Sequence, residues 1–260
     1  MGLRLPLPRI AGALVTGALA GLLAMGKGRR RRSWQRVRDA FGLLRSGNGR
    51  RVWRAVRIRA YSRSLSFGLR RDLRVPFTPP NPKIPLTMRP LGPQDDLAFL
   101  APAAGLDQQA AWGRLNQRRL LADDLPTCWI ATGPDGKVCY MQWLVAAKDN
   151  AHVRARWGGL FPELRNDEAL LEGAYTAESC RGQGIMAHAM AKIAEAAQDF
   201  GAHQVITFVD HTNVASLKGC EKAGFAPYVE RRVTWFLFRR RIRFVPVENA
   251  TAAPSRSTRT

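Results

Sequence analysis

Acidic residues are scarce in this chain: 20 aspartates and glutamates stand against 41 lysines and arginines, for a net charge of +21. Such an imbalance points to polyanionic company, whether nucleic acid, anionic lipid or a phosphorylated ligand, and carries no information about fold. Cysteine is sparse too. Cys128, Cys139, Cys180 and Cys220 form no CxxC pair, none joins a histidine at metal-ligand spacing, and the 4 histidines do not cluster. The pattern gives no ground for a bound metal, and a disulfide framework is not expected in a chain of 260 residues. A reducing compartment fits best.

Long apolar runs are missing as well. Ile10–Gly26 is the segment closest to a membrane span, with 17 uncharged residues rich in Ala and Gly, at the short end of what crosses a bilayer. Arg4 and Arg9 precede it, while Lys27 and Arg29–Arg32 follow. If it spans, the positive-inside rule leaves the rest of the chain in the cytoplasm. An extension from a misassigned start and a loosely packed apolar helix are the alternatives for 1–26.

What is present is strongly segregated. Lys27–Arg74 holds 17 basic and 2 acidic residues, a net +15 that leaves +6 for everything else. Trp34, Val37, Phe41 and Leu44 recur at steps of three and four, so the pattern from Ser33 to Leu73 predicts basic amphipathic helices. Such a helix suits an anionic membrane surface, here through 10–74, or packing onto the following domain. Nucleic acid is not the expected partner, because no zinc-finger, RRM or OB-type signature accompanies the arginines. Prolines 76, 79, 80, 82 and 85 make 76–83 an extended linker after the basic region 27–75. The tail 248–260 is small and polar, as disordered termini are.

Between them, 84–247 reads as one α/β domain, 46% of the whole sequence being apolar and able to supply a core. Ile84–Leu91 is the expected first strand, followed by helices near 94–104 and 107–122. Cys128–Thr132 and Val138–Val145 flank a Pro-Asp-Gly-Lys hairpin turn. Ala169–Thr176 is a strand leading into a glycine-rich turn. Met186, Met190, Ile193, Ala197 and Phe200 mark one face of a helix ended by Gly201. Gln204–Val209 is a strand buried on both faces; a short helix 213–223 and strands 227–238 and 241–247 close the domain.

The chemistry sits at Cys180-Arg181-Gly182-Gln183-Gly184-Ile185-Met186-Ala187. A helix opens with backbone N–H groups that lack internal acceptors, and glycines let an anion approach them. Further on comes Asn213-Val214-Ala215-Ser216-Leu217-Lys218-Gly219-Cys220-Glu221-Lys222-Ala223-Gly224-Phe225. The first element resembles the [QR]-x-x-G-x-[GA] acyl-CoA motif of the GNAT acetyltransferase superfamily. The second resembles that family's N-x-x-[AS]-x-x-x-Y-x-K-x-G-F segment. Order and spacing agree, over 84–247.

The resemblance implies a GNAT fold, a mixed central sheet with splayed middle strands, here following a basic helical N-terminal extension. It implies an N-acetyltransferase that takes acetyl from acetyl-CoA, without metal, and passes it to a small-molecule or peptide amine. Carried over, Gly182, Gln183, Gly184, Ile185, Met186 and Ala187 hold the pyrophosphate through their backbone, and Arg181 shapes the loop. Asn213 lies on the pantetheine side, and Ser216 near the thioester.

Three departures stand out. Met186 occupies a position for a small residue, and Cys220 replaces the tyrosine that protonates the departing thiolate. Cys220 is then either the proton donor or an inert buried thiol, with Tyr175 and Tyr228 as rivals. No base is obvious: Glu172 is the first candidate, Asp210 and His211 the next, although Asp210 also suits a helix cap. The stretch Trp157–Pro162 is expected at the acceptor pocket. Two other functions remain open at this level: a long-chain acyltransferase acting on amino acids or lipid amines at a membrane, and a CoA-binding domain without catalysis. The location expected is cytoplasmic, at the inner face of a membrane if 10–26 inserts.

Overall fold

A computed structural model describes residues 56–101, 105, 108–123 and 125–247. The expected anchor at 10–26, the basic helices up to residue 55 and the tail at 248–260 lie outside the described residues. Among those described, no helix is long and apolar enough to cross a membrane. Among the described residues the chain divides into two compact units, 56–62 with 235–239, and 63–234 with 240–247. In the smaller one, residues 56–60 are helical, and the N–H groups of Leu237 and Phe238 donate to Ala60 and Arg59 carbonyls at 2.9 and 2.8 Å.

The larger unit is built on a mixed eight-stranded sheet. The strands are β1 Tyr61–Asp72, β2 Thr87–Pro90, β3 Cys128–Thr132, β4 Val138–Ala146, β5 Glu168–Thr176, β6 Gln204–Asp210, β7 Ala226–Phe236 and β8 Arg239–Pro246, in the spatial order β2-β3-β4-β5-β6-β1-β7-β8. Neighbours β2 to β5 pair antiparallel, β5 and β6 are parallel, and β6 and β1 antiparallel. Four α-helices accompany it: α1 Gln108–Ala122, α2 Asn150–Trp157, α3 Ile185–Glu195 and α4 Val214–Lys222. Side chains alternate across a pleated strand. Ala169, Leu171 and Val205 therefore join the core that holds α3 and α4, while Leu170 and Ile206 join the one that holds α1 and α2. Leu170, Leu171 and Ile206 are at most 1% exposed, each burial worth roughly 1.5–3 kcal/mol.

The sheet begins earlier than the sequence pattern suggests. Residues 61–72 were expected to be helical and form β1, and Ile84–Leu91 contributes the second strand. The reason is a period of two hidden among charges: Phe67 and Leu69 pack into the α3 core, and so does Arg71, which is buried. Arg71 is tolerated because Nη1 donates to the Ala191 carbonyl at 3.0 Å, Nη2 reaches Glu195 at 3.4 Å, and the guanidinium lies 4.5 Å over Phe77. The proline-rich segment is no loose linker either. Phe77 packs into the same core, the Pro80 carbonyl meets His188 Nδ1 at 3.0 Å, and Lys83 N–H donates to the Gln183 carbonyl at 2.9 Å.

Two further expectations change. In place of a helix at 94–104 there is a short 3-10 turn, Ala98–Leu100. Asp95 there binds the Gly92 N–H and the Arg89 guanidinium, which fixes a loop. Phe200 leaves the apolar face of its helix and is exposed, because Ala196–Phe200 tightens into a 3-10 helix whose residues advance by a larger angle.

Candidate active site

β5 and β6 pair only from Glu168–Gln204 to Leu170–Ile206. Beyond that they diverge, and a cavity of about 250 Å³ opens between them. The divergence has a local cause. Where β4 runs along β5, Met141 faces Tyr175 and Trp143 faces Glu172, so two residues of β5, Gly173 and Ala174, oppose the single Gln142. This is a β-bulge, which bends the strand that carries the extra residue. Gly173 makes it possible: its φ is +68°, and a Cβ there would stand 2.6 Å from Leu120 Cδ1.

The cavity wall brings together Glu172, Tyr175, Met186, Asn213, Ser216 and Cys220 of the residues named from sequence, together with Asp210. Trp112, Gly113, Asn116 and Gln117 of α1 and Gln142 of β4 also line it, and the motifs gave no hint of them. A trace existed in Gly113, whose Cβ would be 3.1 Å from the Tyr175 ring and so allows α1 to come close. His211 is not in this lining; its Nδ1 lies 3.0 Å from the Leu65 carbonyl. Residues 157–162 stand apart from it: Gly158, Gly159, Phe161 and Pro162 line a separate cavity of about 380 Å³.

Glu172 is half-buried, and burial pushes its carboxyl up to about 7 against the opposing charge of Arg231. Arg231 was missed by the sequence reading. Its guanidinium lies over the rings of Phe208 and Phe161 at 4.8 and 5.4 Å, and it donates to the Leu160 carbonyl and Ser66 Oγ. Tyr175 and Cys220 are differently placed. Burial, and the neighbouring Glu178, push the Tyr175 hydroxyl up to about 12. That hydroxyl donates to Glu178 Oε1 at 2.7 Å. Burial would raise Glu178, yet hydrogen bonds from Arg114 and Tyr175 bring it down to about 2. Cys220 is 1% exposed, its Sγ donates to Met190 Sδ at 3.7 Å, and burial pushes it up to about 12. Tyr228 is likewise pushed up to about 12 by burial; it meets Phe208 edge-on and is not part of the lining. Asp210 accepts from the N–H and hydroxyl of Thr212 at 2.9 and 2.6 Å; the cap of α4 is Asn213, which accepts from Ser216 N–H at 3.1 Å.

Next to the cavity is the start of α3. Gly182 and Gly184 are exposed, with φ of +76° and +77°, and nothing stands within 4 Å of a Cβ built on Gly182. Gly184 is the N-cap residue and, among the described residues, no side chain caps the helix. Its first N–H groups therefore keep the anion-binding capacity of an open helix end. Arg181 folds back, Nε to the Thr176 carbonyl at 3.3 Å and Nη2 to Glu178 at 3.4 Å. Ile185 and Ala187 are buried beneath the turn.

The model of the GNAT acetyltransferase domain matches residues 86–226 of this sequence, more than half of it. The chain belongs to the GNAT acetyltransferase family. No curated protein matches it. Among solved structures, a GNAT-family acetyltransferase from Colwellia psychrerythraea is similar at 18% identity, over 68% of this chain and 57% of that one, with a TM-score of 0.44. A GCN5-related N-acetyltransferase from Sphaerobacter thermophilus is similar at 15%, over 71% and 56%, with a TM-score of 0.39. A glucosamine N-acetyltransferase region of a fungal multi-domain β-N-acetylglucosaminidase is similar at 15%, over 71% and 22%, with a TM-score of 0.46. The matching part of this GNAT chain thus spans little more than half of the first two and less than a quarter of the third. Among the described residues, no group of three or more His, Cys, Asp or Glu side chains could hold a metal ion.

Proposed function

We propose that this GNAT acetyltransferase transfers an acetyl group from acetyl-CoA to a primary amine, with Glu172 as the base. The observation that carries the reading is the continuity of three features. An uncapped helix end with two exposed glycines adjoins a gap between parallel strands, and a carboxyl raised to about 7 stands in the wall of that gap. The residues suit the cosubstrate. Backbone N–H groups of Gly182 to Ala187 would hold its pyrophosphate, since no Cβ obstructs Gly182 and the helix end favours negative charge. Unpaired main chain of β5 beyond Leu170 would hold its pantetheine arm. When bound, acetyl-CoA supplies the acyl group as an activated thioester.

Glu172 receives a proton from the incoming ammonium, a task for which a carboxylate near neutrality is well matched. The cavity holds the amine close to its target, and that proximity is worth several kcal/mol, up to about 7–11 in the best-oriented cases. Cys220 and Tyr175 serve as wall and support: at about 12 each, they are poor donors to a thiolate whose conjugate thiol lies near 8.5.

The test is the initial rate of CoA release over a panel of amines, read against pH. With an amine whose own pKa is well above 8, kcat/KM should rise through about pH 7, and Glu172→Gln should remove that inflection and lower kcat by roughly 10²–10⁴. An unchanged profile in Glu172→Gln would take the base elsewhere. The raised carboxyl also affects stability. The native state keeps a proton that the unfolded chain has lost, so stability falls as pH rises from 4.5 to about 7, and Glu172→Gln should flatten that slope.

A further inference from the structure

The acceptor's chemistry is written in the sign of the cavity wall, an argument that rests on the acceptor occupying this cleft. The chain carries +21, yet among the described residues the lining contains Glu172 and Asp210 and no lysine, arginine or histidine. Arg231, outside the lining, opposes the charge of both acids, stacks on Phe208 and donates its hydrogen bonds to the Leu160 carbonyl and Ser66 Oγ. A carboxylate brought into the cleft would meet two acids and, among the described lining residues, no basic side chain. A cation would meet carboxylates.

The α1 wall adds a second, independent observation. Gln117 is 3% exposed and lines the cleft, and its side-chain carbonyl Oε1 has no hydrogen-bond partner among the described residues. A buried carbonyl left unpaired costs about 1–3 kcal/mol. An unpaired group of this kind calls for an explanation, and its place on the cleft wall makes a ligand one. Across the cleft Gln142, 1% exposed, has its Oε1 occupied by the Tyr140 hydroxyl at 2.7 Å, which leaves Gln117 as the open acceptor.

We infer that the acceptor is a cationic amine with a second N–H donor and no carboxylate, and that Gln117 Oε1 receives that second N–H. The reactive nitrogen faces Glu172, and the second nitrogen is read from α1. Gln117 is therefore a specificity-determining residue.

The experiment uses the full chain, acetyl-CoA and three matched acceptors: pentane-1,5-diamine, pentylamine and 6-aminohexanoate, with CoA release as the readout. Acetyl-CoA affinity is measured separately by calorimetry. The diamine should exceed pentylamine in kcat/KM by about tenfold, the value of one satisfied buried hydrogen bond, and 6-aminohexanoate should be the slowest. Gln117→Leu should collapse the diamine-to-pentylamine ratio toward one, and Gln117→Glu should widen it. Equal rates for all three acceptors, or a ratio indifferent to both variants, would overturn the inference and leave N-acetyl transfer standing. Acetyl-CoA binding with no CoA released to any amine would remove the parent reading and this one together.

Discussion

Met186 and Gly219 are a matched pair. A methionine stands in the first turn of α3 where the family's motif has a small residue, and its side chain needs space on α4. Gly219 provides it: a Cβ there would be 2.9 Å from Met186 Sδ and 3.2 Å from its Cε. One turn deeper, the Cys220 thiol faces Met190, so α3 and α4 meet through sulfur and a bare backbone. Alanine at 219 would be tolerated through the flexible methionine tip, but a larger residue would not. Gly219→Leu should destabilise the protein by roughly 1–3 kcal/mol, the usual cost of overpacking. Adding Met186→Ala should recover most of that loss, a coupling measurable in a denaturant double-mutant cycle.

At the scale of elements, the cleft between β5 and β6 is a product of one bulge. β5 stays parallel to β6 for three residue pairs and then turns outward at Gly173. With φ of +68° and Leu120 and Trp143 both inside 3 Å of a would-be Cβ, this position has no room for any other side chain. Gly173→Ala should cost at least 2 kcal/mol in chemical denaturation, from backbone strain and overpacking together. The surviving fold should bind acetyl-CoA more weakly, because relaxation of the bulge narrows the gap. These elements also mark what a sequence reveals. The glycine-rich turn at 181–187 and the hairpin at 134–137 are local, with donors and acceptors a few residues apart, and so they read directly from the chain; the cap of α4, expected at Asp210, is Asn213 instead. Gln117, Gln142 and Arg231 come from three elements far apart in sequence and meet only through tertiary packing. No short pattern of spacing could place them in or beside the cleft. The 61–72 strand was hidden for another reason: Arg63, Arg70 and Arg71 mask its alternation, and Arg71 is buried only because Ala191 and Glu195 receive it.

On the scale of the molecule, the charge segregation of the sequence is not a domain boundary. The basic stretch ends inside the sheet, since β1 lies between β6 and β7 and pairs with β6 from Ser66–Asp210 to Asp72–Gln204. Arg71 and Arg74 within it are engaged with Glu195 and Asp72. A chain started at residue 76 therefore loses a central strand, leaves the edges of β6 and β7 unpaired and should aggregate rather than fold. A chain started at residue 56 keeps that strand. Comparing the two by thermal unfolding should give a cooperative transition for 56–260 and none for 76–260.

The position of β1 also sets a timetable for biosynthesis. A strand made among the first third of the chain finds its partners only after residues 204–236 have been translated, so the early segment waits in the cell with unpaired main chain and a row of arginines exposed. Closure of the sheet is then a late, long-range event, the kind that slows folding and calls for a holdase while the ribosome finishes its work.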